Sequence, residues 1–108
     1  MRKGQKGPTL LELVLELEGD IRRRLEPIRV TPLQAGVLLL LCRHTEARVT
    51  DIAAALGVRL STLSGVVTTL ARKRWITKRR SVTDPRVVHV MLSRQGEVLA
   101  RKIEDMVR

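Results

Sequence analysis

Val49 to Lys73, V-T-D-I-A-A-A-L-G-V-R-L-S-T-L-S-G-V-V-T-T-L-A-R-K, constrains the fold of this chain more than any other stretch. Two short segments of helical periodicity meet at Gly57, a residue that tolerates the left-handed backbone a helix end requires. In the first, Ile52 and Leu56 share one face, and Ala53 and Ala54 leave room for a neighbouring helix. Thr50 is expected to cap it and Ser61 to cap the second, since a hydroxyl there accepts from a free backbone N–H. This is the layout of a helix-turn-helix, whose second helix enters the major groove of DNA. On that second helix Leu63, Val66, Val67 and Leu70 fall on one side, while Ser61, Gly65, Thr68 and Arg72, flanked by Thr62, Ser64 and Thr69, fall on the other. The outward positions are small, hydroxylated or basic and none is acidic, so the surface suits close approach to a polyanion. An ordinary Ser- and Thr-rich surface helix gives the same pattern.

The distribution of charge separates these readings. The formal net charge is +10. Between Arg59 and Arg86 the bases Arg59, Arg72, Lys73, Arg74, Lys78, Arg79, Arg80 and Arg86 stand against one acid, Asp84. Leu10 to Glu26 instead carries five acids and three bases. Charge concentrated in this way is a footprint for phosphate, although a membrane surface or an acidic protein would also be attracted. The apolar residues are aliphatic, with one Trp and no Phe or Tyr. That argues against single-strand binding, which uses aromatic stacking platforms. A lone cysteine, Cys42, allows no intrachain disulfide and is expected in the core. The longest apolar run, Val37 to Cys42, is too short to span a bilayer, and the N-terminus lacks the apolar segment of a signal peptide. No membrane contact and a soluble, cytoplasmic protein are expected.

The flanking segments complete one domain. Residues 1–8 read as a flexible N-terminal arm, and 9–108 as a single domain. Thr9 and Glu12 form a capping box for a helix ended by Pro27. Its stripe of Leu10, Val14, Leu17, Ile21 and Leu25, widened by Leu11, Leu13 and Leu15, is broader than one small domain would cover, which points to self-association. Thr31-Pro-Leu-Gln opens a second helix, apolar nearly all round and therefore central. Ala47 to Val49 reads as a short strand. Trp75 to Arg79 and Val87 to Leu92, joined across Asp84-Pro85, read as a basic hairpin with Val88, Val90 and Leu92 facing inward and His89 outward. Ser93 caps a last helix. The fold class is mainly α with a small β wing (α+β): about five helices and a two- to three-stranded antiparallel sheet, a winged helix-turn-helix. His44 and His89 lie on different elements and form no catalytic or metal-ligand spacing with other residues, so neither an enzyme nor a cofactor is expected.

The stretches T-P-L-Q, V-T-D-I-A-A-A-L-G-V, S-T-L-S, V-V-T-T-L-A-R-K, W-I and D-P-R-V-V-H-V-M-L-S-R-Q-G resemble the MarR-type winged helix-turn-helix regulators over about residues 31 to 100. Asp84, Arg86, Val90, Leu92, Ser93 and Gly96 stand at the spacing of the family's wing motif. The resemblance implies a homodimeric regulator that binds a pseudo-palindromic operator in double-stranded DNA. It gives Arg86 the role of entering the minor groove, Asp84 that of holding it, and Ser61, Thr62 and Ser64 recognition-helix positions. With the cationic and small residues around them, the expected DNA-binding set is Arg59, Ser61, Thr62, Ser64, Gly65, Thr68, Thr69, Arg72, Lys73, Lys78, Arg80 and Arg86. The resemblance places the dimer contacts on 9–25 and 93–108, at Leu10, Leu11, Val14, Leu17, Ile21, Leu99, Ile103 and Met106, and leaves a small-molecule effector open as a further partner.

Three departures carry consequences. Gly65 replaces a frequent arginine, which removes a bidentate guanine reader worth roughly 1–3 kcal/mol of discrimination and shifts weight to phosphates and the wing. Arg74 replaces the usual glycine after the helix. The absence of Phe and Tyr leaves a poor pocket for aromatic ligands. A winged-helix module that docks an acidic protein, and an architectural DNA binder without a dedicated operator, are the alternatives.

Overall fold

The computed structural model describes residues 6–108. Most of the expected N-terminal arm, residues 1–5, lies outside the described residues, while Lys6 to Pro8 are exposed and outside any helix or strand. The elements in order are α1 (Leu10–Leu25), a 3₁₀ turn (Glu26–Ile28), α2 (Pro32–Arg43), β1 (Ala47–Arg48), α3 (Val49–Leu56), α4 (Leu60–Arg72), β2 (Ile76–Arg80), β3 (Val88–Leu92) and α5 (Arg94–Met106). Five helices thus accompany a three-stranded antiparallel sheet of order β1-β3-β2. No single helix is long and apolar enough to cross a membrane among the described residues.

The caps at α1 and α2 follow the sequence. Glu12 N–H donates to Thr9 Oγ1 at 3.1 Å, and Thr9 N–H donates to Glu12 Oε2 at 2.7 Å. Thr31 and Gln34 make the same reciprocal pair. These bonds satisfy backbone donors that have no partner inside a helix. The caps expected at Thr50 and Ser61 do not form. α3 begins two residues earlier than a cap at Thr50 would set it, directly behind Arg48, the extended residue that pairs with His89 in the sheet. α4 begins at Leu60 behind an extended Arg59, so Ser61 already lies in the first turn.

α2 is the centre of the core. Ala35, Val37, Leu38, Leu40 and Leu41 are buried there against Leu25, Ile52, Leu63, Leu70 and Ile103. α5 packs on α2 and buries Ala100 and Ile103, while its Gly96 sits against the backbone of Trp75. Ile103 was expected at a dimer interface, but it is fully buried within its own chain. An apolar α2 needs a cover, and the i, i+4, i+7 face of α5 supplies it. Ile21, Leu99 and Met106 are half-buried, the first two packed against the same core. Cys42 is a second correction: it is exposed. It sits on the last turn of α2, where a surface cleft lined by Arg43, His44, Glu97 and Arg101 opens beside α5.

Two turns share one hydrogen-bond pattern and differ in one residue. After α3, Val58 N–H donates to Ala53 O at 3.0 Å and Gly57 N–H to Ala54 O at 3.2 Å, with Gly57 at φ 67°. After α4, Trp75 N–H donates to Leu70 O at 3.1 Å and Arg74 N–H to Ala71 O at 3.0 Å, with Arg74 at φ 65°. Both are Schellman motifs. A side chain in the left-handed region costs roughly 1–2 kcal/mol, which glycine avoids. Arg74→Gly should therefore raise stability by about 1 kcal/mol in denaturant unfolding, and an unchanged midpoint would contradict this account of the turn.

Candidate nucleic-acid interface

α3 and α4 meet through the Gly57 turn, and α4 rests on the core by Leu63, Val67 and Leu70. Its opposite side is open: Ser61, Thr62, Ser64, Gly65, Thr68 and Arg72 are exposed, and Thr69 is half-buried. A methyl group built on Gly65 would meet nothing within 4 Å, so this part of the surface is bare of side chains. Thr68 Oγ1 donates to Ser64 O at 2.9 Å and Thr69 Oγ1 to Gly65 O at 3.1 Å. Those two hydroxyl protons serve their own helix, so Thr68 and Thr69 offer a ligand an acceptor oxygen and a methyl group rather than a donor.

The wing follows from the sheet register. β2 pairs with β3 from Ile76↔Leu92 to Arg80↔Val88, with Ile76 and Val90 buried. Thr77 to Arg80 on the edge strand β2 are all exposed. A charged edge of this kind discourages pairing with another sheet. The turn is closed by Ser81 N–H to Val87 O at 2.8 Å and Val87 N–H to Asp84 O at 2.9 Å. Asp84 Oδ1 accepts from the Arg86 backbone N–H at 3.0 Å and from Arg86 Nε at 3.4 Å, while the Arg86 side chain stays 92% exposed. Arg80 Nη1 donates to Pro85 O at 2.6 Å, so one basic side chain braces the hairpin.

The cations on this side of the molecule divide into held and free. Arg79 donates to both oxygens of Glu46, at 3.0 and 3.1 Å. His89, expected to face outward, is half-buried with Nδ1 3.4 Å from Glu46 Oε1, since on the middle strand it is flanked by its cross-strand partners Arg48 and Arg79. Lys73 Nζ lies 5.0 Å from the centre of the Trp75 ring. Arg59, Arg72, Arg74 and Lys78 make no ion pair among the described residues and are exposed.

Between α4 and the wing lies a cleft of about 240 Å³. It brings together four of the residues singled out in the sequence, Ser64, Thr68, Lys78 and Arg86. Arg59, Ser61, Thr62, Gly65, Thr69, Arg72, Lys73 and Arg80 do not line it. Arg48 and Thr50 also line it. Arg48 was not singled out, since it precedes the basic run. Its signal was a cation immediately before the first helix of the helix-turn-helix. Among the described residues no group of three or more His, Cys, Asp or Glu side chains is placed to hold a metal ion.

A bihelical unit with an exposed small-residue helix, and a basic hairpin flanking the same cleft, define a winged helix-turn-helix DNA-binding regulator. The sequence pattern of the MarR family matches residues 30–86, more than half of the chain, and the chain belongs to that family. No curated protein matches in sequence. Among solved structures, the transcriptional repressor CouR bound to a 23-mer DNA duplex is 26% identical, with 91% of this chain covering 69% of that one and a TM-score of 0.83. A point mutant of MepR from S. aureus, bound to an oligodeoxyribonucleotide, is 25% identical over 88% of this chain and 70% of that one, with a TM-score of 0.75. NadR in complex with 4-hydroxyphenylacetate is 22% identical over 99% and 79%, with a TM-score of 0.81, and shares the fold.

Proposed function

We propose that this protein binds a pseudo-palindromic operator in double-stranded DNA as a homodimer and represses transcription by occupying it. The observation that carries the reading is the cleft between α4 and the wing, where Lys78 and Arg86 face a helix surface without an acid. α4 would enter the major groove, Arg86 the minor groove, and Arg59, Arg72 and Lys78 the phosphates between. CouR and MepR, each bound to DNA in its solved structure, support the same role here. The protein acts by binding rather than by catalysis, in the cytoplasm. A small-molecule effector would have the cleft of about 530 Å³ between α1, α2 and the end of α3, lined in part by Leu33, Leu56 and Val58.

The dimer rests on α1. Leu10, Leu11, Leu13, Val14, Leu15 and Leu17 are all exposed, Leu10 to 78%, on the part of the helix farthest from the core. Covering such an arc removes apolar surface from water at about 25 cal/mol per Å². Light scattering should give twice the chain mass, and Leu17→Glu should lower it toward the monomer while weakening retention of a duplex carrying two half-sites about one helical turn apart. A wild-type monomer at micromolar concentration would overturn the dimer. One observation favours a second reading, an architectural binder of low specificity: Gly65 leaves α4 without a long reader. Competition by random-sequence DNA as effective as the selected duplex would decide for it.

A further inference from the structure

The duplex-DNA reading leaves open which part of the protein tells one base pair from another. From Leu60 to Ala71, α4 carries no Arg, Lys, Asn, Gln, Asp or Glu. These are the side chains that make bidentate contacts to base edges in the major groove. Its exposed hydroxyls are short, and those of Thr68 and Thr69 already donate to their own helix. Gly65 leaves open space at the centre of the face. The helix can fit a major groove closely, but among its exposed residues only single hydroxyl and methyl contacts are available to base edges, none of them bidentate. Arg59 stands before the first turn and Arg72 in the last, the two ends that would meet phosphates if α4 lay in a groove.

The wing tip is built differently. Val82 is 100% exposed and Pro85 is exposed beside it. Ser81 Oγ and Thr83 Oγ1 are within 3.1 Å of each other, and Ser81 Oγ accepts from Asp84 N–H at 3.3 Å. Asp84 is turned onto Arg86 and Arg80 onto Pro85 O. The polar groups of the turn are thus largely bonded to one another, and the tip presents a narrow apolar end with one outstretched guanidinium. The minor groove of A·T pairs has the matching chemistry: C–H-rich sugar walls, a floor of acceptors only, and enhanced negative potential where it is narrow. A G·C pair adds an N2 amino group on that floor, a donor facing a cation and a bulk facing a methyl group.

We propose that base discrimination in this protein is carried chiefly by the wing tip, Val82, Pro85 and Arg86, reading A·T-rich minor groove, while α4 contributes fit, phosphate contacts and only weak single-contact readout. The proposal rests on the duplex-DNA reading and assigns the recognised sequence class within it.

The test starts from a duplex enriched by the wild-type chain from a random-sequence pool, with the wing position located by footprinting. Replacing A·T by G·C under the wing should weaken binding on the order of tenfold. Replacing A·T there by inosine·C, which keeps the A·T-like minor groove but has a G·C-like major groove, should restore it to within about threefold. Changing pairs under α4 should cost less than about threefold. Val82→Ser should shrink the A·T preference under the wing without altering the salt dependence, since no charge is lost, and Arg59→Ala should weaken all sequences alike. Inosine·C binding as poorly as G·C under the wing would overturn the proposal, as would a tenfold loss from pair changes under α4. Salt-sensitive binding with no preference under the wing overturns it while leaving the DNA-binding reading intact. Failure to retain any duplex overturns both.

Discussion

Gly96→Ala should destabilise the protein by about 3 kcal/mol, at the upper end of what overpacking a core costs. A methyl group at Gly96 would lie 1.9 Å from the carbonyl oxygen of Trp75 and 2.9 Å from its carbonyl carbon. The obstacle is backbone, so no rotamer change relieves it. That carbonyl also accepts from Ser93 N–H at 3.0 Å, and Ser93 Oγ donates to Arg74 O at 2.7 Å while accepting from Gly96 N–H at 3.0 Å. The start of α5 is therefore seated on the backbone just before β2, and displacing it disturbs the root of the wing. Trp75 is the single tryptophan, so its fluorescence reports the site directly. A loss of more than about 10 °C in melting temperature is expected for a domain of this size. Melting within a few degrees of wild type would contradict the close approach.

Arg86→Ala should weaken duplex binding by roughly 1–3 kcal/mol, between about five- and 150-fold, while leaving the melting temperature unchanged. The two effects separate because the side chain is almost wholly exposed and its ion pair with Asp84 is a surface one. The turn keeps its other bonds, including the backbone N–H of residue 86 to Asp84 Oδ1. A gel-shift titration beside a thermal melt checks both. Wild-type affinity in the variant would remove Arg86 from the interface.

The fold was legible in the sequence wherever local chemistry decides it. The capping boxes at Thr9 and Thr31, the Gly57 turn and the Ser93 cap are all settled by residues within a few positions of one another. The misreadings have tertiary causes. Thr50 and Ser61 look like caps, but the strand pairing of Arg48 and the extended Arg59 start both helices earlier than those hydroxyls would. Ile103 shares the helical period of an interface residue, and only the placement of α5 on α2 sends it into the core. Cys42 continues an apolar run, yet the end of α2 outlasts its cover. At the candidate interface, charge and motif pointed to α4 and the wing. The pairing of Arg79 with Glu46, and the entry of Arg48 into the cleft, depend on chain segments far apart in sequence.

The central claim is that the cationic ridge of α4 and the wing seats duplex phosphates. It is tested most directly by measuring the association constant for a duplex across a range of salt. Each phosphate neutralised contributes about −0.9 to the slope of log K against log salt. A steep negative slope is expected, made shallower by about one in Lys78→Ala and again in Arg72→Ala. Affinity that does not change with salt, or a slope identical in all three proteins, would contradict the account.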